Sequence, residues 1–178
     1  PEVERIHDAH VHLFPPRVFE ALWRWFDTHA WNVKYRLHSE QVVEFLRAHG
    51  TDRFAGLLYS HKPGMARVLN GYMAELARAH DRLVPLGTVL PGEMDQLDVV
   101  AEAERLGLRG LKLHCHVQDF RIDDPRLTPV FTRSEEIGWP VVVHCGRAPR
   151  LPGYASDTHA LGDVAATRRV LERHPRLK

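Results

Sequence analysis

Cysteine is scarce in this 178-residue chain. Two residues cannot build a disulfide framework, so the expected compartment is cytoplasmic. Neither sign of charge dominates. The 24 Lys and Arg nearly cancel the 23 Asp and Glu, for a net charge of +1, which excludes the basic surplus of a general nucleic-acid binder. No apolar run reaches the ~18 residues of a membrane span. The first fifteen residues are polar and run into Phe14-Pro15-Pro16, unlike a secretory signal. No Gly-x-Gly-x-x-Gly follows a strand pattern and no P-loop is present, so nucleotide-binding folds gain no support. The 44% hydrophobic content excludes a disordered chain, and one domain over residues 1–178 is the expected count. Histidine is what the chain has in excess. Its 13 residues are roughly three times the usual share, and histidine is the commonest metal ligand.

Short β-rich runs alternate with amphipathic stretches. Strands are expected at Val3–His12, Arg53–Ser60, Leu83–Leu90, Leu108–His114 and Pro140–Cys145, each rich in Val, Leu or Ile and bordered by Gly or Pro. Helices are expected from Ser39, read as the N-cap, to His49, then over Met65–His80, Met94–Leu106, Thr128–Ile137 and Asp157–His174, the last broken near Gly162. This alternation is that of a parallel sheet with right-handed crossovers, and a barrel suits it better than a dinucleotide fold. The segment Phe14–Tyr35 is rich in aromatic residues. It is either a helix packing Phe19, Leu22 and Phe26 on the core or a long loop that roofs a pocket with Trp25 and Trp31.

Three strand ends carry chemistry. In Asp8-Ala9-His10-Val11-His12 the two imidazoles share a strand face about 6.5 Å apart along the chain, which lets both converge on one ion. In Pro140-Val141-Val142-Val143-His144-Cys145 a buried strand ends in a third histidine, completing a set of three protein ligands with one open position. In Gly110-Leu111-Lys112-Leu113-His114-Cys115-His116 alternation turns Lys112 and His114 toward the barrel axis. A buried lysine is costly unless paired; Lys112 can hold a substrate carboxylate or pair with Asp8. His114 is the candidate for catalytic proton transfer, and His116 either contacts substrate or sits in a solvated loop. Arg147 can bind an anion. Cys115 and Cys145 are expected to point away from the axis as small buried hydrophobes.

Together these segments resemble the amidohydrolase superfamily, most closely its amidohydrolase-related branch of metal-dependent hydrolases and decarboxylases. The resemblance implies a (β/α)8 TIM-type barrel with one divalent metal, usually zinc, held by His10, His12 and His144. It also implies a histidine on a sixth strand and an aspartate on an eighth. Neither is in the sequence, which stops at Lys178 where a sixth strand would begin, so about five βα units of a longer barrel are expected here. The implied activity is hydrolysis of a small organic substrate by metal-activated water, with non-oxidative decarboxylation as the alternative. The expected ligand is a small, carboxylate-bearing molecule, with no membrane or nucleic-acid partner and homo-oligomerisation open. Deoxyribonucleases of the TatD type and phosphoesterases of the polymerase-and-histidinol-phosphatase type also begin with His-x-His; the former expects a glutamate where Lys112 and His114 stand. The non-catalytic reading is a metal-binding assembly fragment.

Overall fold

The computed structural model describes residues 5–146 and 149–178. Five parallel strands follow one another in chain order: β1 (Ile6–His12), β2 (Thr51–Leu57), β3 (Leu83–Pro85), β4 (Leu111–His114) and β5 (Val141–His144). β1, β2 and β3 form one ladder and β4 pairs with β5. A bridge from Gly87 to Leu111 joins the two, so the five strands make one curving wall. Helices α1 (Pro16–His29) and α2 (Ser39–Ala48) follow β1, and α3 (Met65–Ala79) and α4 (Gln96–Arg105) follow β2 and β3. The short α5 (Cys115–Gln118) and then α6 (Thr128–Ile137) follow β4, and α7 (Thr158–Leu161) and α8 (Val164–Arg173) follow β5. This is the front of a TIM-type barrel, as the alternation of strand and helix patterns implies.

The strand and helix positions agree with the sequence reading, and the boundaries that differ have local causes. The third strand is regular only to Pro85. Proline has no N–H to continue the ladder, and from there the backbone changes partner, Gly87 N–H donating to Gly110 O at 2.9 Å. The N-cap of α2 is His38, not Ser39, and forms a capping box with Gln41. Ser39 instead donates its hydroxyl to Phe14 O at 3.0 Å and is buried, tying the helix to the end of β1. Between Asp8 and Val11 the register with β2 slips by one residue, a bulge that bends β1. The helical alternative for Phe14–Tyr35 is correct, with Phe19 buried, yet α1 also roofs a cavity.

The core is the apolar layer between strands and helices. Leu111 and Leu113 are fully buried in it, in one cluster with Val99, Val100 and Ala103 of α4, as period-2 alternation requires. Gly110 permits the close approach of β4 and β5, since a Cβ there would stand 2.6 Å from Pro140 O. No helix is long and apolar enough to cross a membrane among the described residues.

Beyond Pro85 the third strand's backbone depends on Asn70 of α3. Its amide donates to Thr88 O at 3.0 Å and accepts from Thr88 N–H at 2.8 Å, while the Thr88 hydroxyl donates to Lys112 O at 2.9 Å. Asn70→Ala would leave a buried donor and acceptor unpaired. Urea unfolding is expected to register a loss of about 2–3 kcal/mol, and a loss near zero would mean the contact is not structural.

Candidate metal and substrate site

The C-terminal ends of the strands place histidines on one side of the wall. On β1 the Nε2 atoms of His10 and His12 stand 3.2 Å apart with their rings 72° from parallel. Asp8 shapes this stretch, its Oδ1 accepting the backbone N–H of His10 at 2.9 Å within the bulge. On β4 and β5 the parallel register sets His114 directly opposite His144. Their rings stack 4.1 Å apart and 10° from parallel. His116 lies edge-on to His144 at 4.9 Å, and His114, His116 and His144 each bring a ring nitrogen within 4.8 Å of the others.

The two groups differ in what they can hold. Two nitrogens bound to one tetrahedral ion at about 2.1 Å lie about 3.4 Å apart, close to the His10–His12 separation. The in-plane lone pairs of His114 and His144 instead lie in parallel planes and do not meet at one point. His144 feels the charge of His10, and His12 that of His144, but among the described residues the three histidines whose nitrogens lie within 4.8 Å of one another are His114, His116 and His144, not His10, His12 and His144. The donor set, imidazole nitrogens with no carboxylate among the three-histidine group, suits a divalent transition ion.

Lys112 lies beneath these rings, fully buried, its Nζ without a hydrogen-bond partner among the described residues. Burial lowers its pKa to about 8. It does not pair with Asp8 in this structure. Burial first, then the neighbouring cations, keep the imidazoles neutral. His12 is held down to about 3 by burial, Lys112 and His10. His114 is held to about 2 by burial, His144 and Lys112, and His144 to about 4 by burial, His116 and Lys112. A neutral imidazole is the form that ligates metal.

His116 is not a solvated loop residue: it is buried in α5, one turn of helix where the sequence reading has a loop. Cys115 is buried as expected, but Cys145 is exposed and lines the cavity above His144, because the chain leaves β5 at His144 and alternation ends there. Arg147 lies outside the described residues. The sequence pattern does not single out Tyr59. It sits just past β2, edge-on to both His12 at 5.5 Å and His114 at 4.9 Å, and burial raises its hydroxyl pKa. Its position at the C-terminal end of a parallel strand was the available signal.

A cavity of about 520 Å³ opens over the cluster, bounded by His12, His114, His144, Phe26, Trp31 and Tyr154. A second, of about 460 Å³, adjoins it under α1.

The sequence profile described as amidohydrolase matches residues 7–178. No curated protein matches the chain. Among solved structures, 5-carboxyvanillate decarboxylase from Sphingomonas paucimobilis is similar, with TM-score 0.66 and 22% identity over 98% of this chain and 66% of that one. An amidohydrolase II structure has TM-score 0.71 and 20% identity over 97% and 65%. 5-Carboxyvanillate decarboxylase from Novosphingobium aromaticivorans, solved with manganese and 4-hydroxy-3-methoxy-5-nitrobenzoic acid, has TM-score 0.66 and 15% identity over 99% and 64%. The chain thus spans about 65% of the length of these structures, and at these identities the likeness is one of fold.

Histidines held neutral in the fold take up protons at about pH 6.5 once unfolded. Below that pH the unfolded state binds more protons than the native one, so stability falls as pH is lowered. The urea midpoint of metal-free protein is expected to drop between pH 7 and 4.5, and to drop less in His114→Phe, which removes one such group. A flat profile would mean these rings are not buried in neutral form.

Proposed function

This chain belongs to the amidohydrolase family, and from that premise we propose that it acts as a metal-dependent hydrolase on a carbonyl-type carbon of a small organic acid. The observation that carries the reading is the convergence of the His10 and His12 Nε2 atoms, 3.2 Å apart, beside the neutral imidazole of His144. His10, His12 and His144 would hold one divalent ion. Such an ion, zinc or manganese, supplies Lewis-acid polarisation of a carbonyl and lowers the pKa of water toward 7.

The chain's own side chains do the rest. Lys112, mostly protonated at neutral pH with a pKa of about 8 and otherwise unpaired, attracts a substrate carboxylate or developing negative charge. His114, held neutral, donates a ring N–H to a substrate oxygen; with a pKa of about 2 it is too weak a base to store a proton. His116 and Arg147 are assigned to substrate contact. The walls from α1 exclude water, which strengthens each of these interactions.

Decarboxylation on the same residues is the second reading. It is favoured by the likeness in fold to two 5-carboxyvanillate decarboxylases. A carboxylate bound between Lys112 and the apolar walls would leave as neutral CO2, and a proton would replace it.

Metal content after loading with zinc or manganese and desalting tests the site. About one ion per chain is expected in the wild type. His10→Ala, His12→Ala and His144→Ala should each lose it, while His116→Ala retains it. Retention in all of the first three ends the assignment. Release of CO2 from aromatic acids, against hydrolysis of amides and lactones, separates the two reactions.

A further inference from the structure

The two cavities are lobes of one site. Leu22, Phe26, Tyr59, His114 and Tyr154 border both and form the waist between them. Only the first lobe reaches His12 and His144. The second has Val18, Trp25, Met65 and Val117 as walls, with Arg17, His61 and Lys62 also lining it. Its two fixed cations stand at element ends, Arg17 in the first turn of α1 and Lys62 between β2 and α3. Neither has an ion-pair partner given by the described contacts, whereas many of the chain's other arginines are paired with Asp or Glu. No acidic residue lines either lobe among the described residues.

We propose that the second lobe is a specificity site for a ring-sized apolar extension of the substrate that ends in a second anionic group, which Arg17 and Lys62 receive. The inference rests on the reading of the first lobe as the reaction site and names the class of molecule that fits both: an elongated dianion with an apolar middle. The first lobe offers the imidazoles of His12, His114 and His144 to one anionic end, with the charge of the buried Lys112 acting on all three. The waist is apolar and aromatic, so a linker or ring passes it without stranding a charge. At the far end a guanidinium and an ammonium group meet the second anion, where charge-assisted hydrogen bonds are strong.

The lobe's width is set by a close contact. A Cβ on Gly153 would stand 2.6 Å from the indole of Trp25, and Trp25 is also in contact with Tyr154 at 5.3 Å between ring centroids. A side chain at position 153 must displace the indole, and so changes the second lobe without touching the histidines.

Three aromatic carboxylate probes test this by calorimetry on the purified metal-loaded protein. Benzoate fills the first lobe alone. 4-Benzyloxybenzoate adds an apolar ring on a flexible ether, and its 4′-carboxy derivative adds the second carboxylate. The dicarboxylate is expected to bind roughly tenfold or more tighter than the monocarboxylate ether, and Arg17→Ala with Lys62→Ala should remove most of that gain. Gly153→Val should weaken both ethers and leave benzoate unchanged. If benzoate binds but the ethers gain nothing, or the double variant keeps the full gain, the second lobe is overturned while the reaction site stands. If the dicarboxylate binds with the Arg17 and Lys62 dependence but benzoate does not, the second lobe stands and the reaction-site reading falls. If no probe binds, both fail.

Discussion

A lysine buried without a partner governs this site. Lys112 is fully buried in the middle of β4, and its charge acts on His10, His12, His114 and His144. Among the described residues no side chain pairs with it. Asp8, the nearest acidic candidate on β1, spends one carboxylate oxygen on the His10 backbone N–H. Burial keeps the four imidazoles uncharged and the cation adds to that effect, and uncharged imidazoles are free to ligate or to donate hydrogen bonds. The same cation leaves a standing demand for an anion. On the proposed function, metal ligation and selection for an acidic substrate are therefore linked through Lys112.

The parallel strands convert that local electrostatics into a site. Because β4 and β5 run in register, His114 meets His144 across the ladder. The bulge in β1 lets Asp8 fold back on His10, so the two imidazoles of the first strand meet although the ladder slips there. α1 then covers the cluster. Its apolar stripe serves two surfaces at once: Phe19 packs on Phe14 at 5.6 Å between ring centroids, while Leu22, Trp25 and Phe26 face the lobes. An amphipathic helix with aromatic residues on more than one face is what that double duty requires.

Much of this was legible from residues alone, and the reasons are specific. Val141–His144 is a short apolar run ending in a polar residue, and that pattern admits few placements in a parallel sheet. His10 and His12 were legible because strand alternation survives one bulged residue at the level of which side chains meet. The fate of Phe14–Tyr35 was not, since helical period and pocket lining are compatible and the sequence offers no way to choose between them. Two residues differ for separate reasons: strand alternation does not extend past residue 144, so Cys145 is exposed, and the solvated-loop alternative for His116 gives way to the buried turn of helix α5. Tyr59 escaped notice because tyrosine at a strand end carries no motif. Only the meeting of three strand ends gives it two imidazole neighbours.

The distribution of charge bears on the choice between hydrolysis and decarboxylation. Hydrolysis needs a group that takes a proton from water and passes it to the leaving atom, and a carboxylate or an imidazole with a pKa near 7 does this well. His12, His114 and His144 are all far below that range. Loss of CO2 makes a different demand. The carboxylate must give up its charge to the rest of the molecule while an electrophile stabilises the carbanion-like centre, and apolar walls favour release of a neutral product. One protonated donor must then deliver the replacing proton, and Lys112, with a pKa of about 8, is protonated at neutral pH. Within the described residues the two readings thus ask different things of Lys112: an anion receptor in hydrolysis, and both receptor and proton donor in decarboxylation.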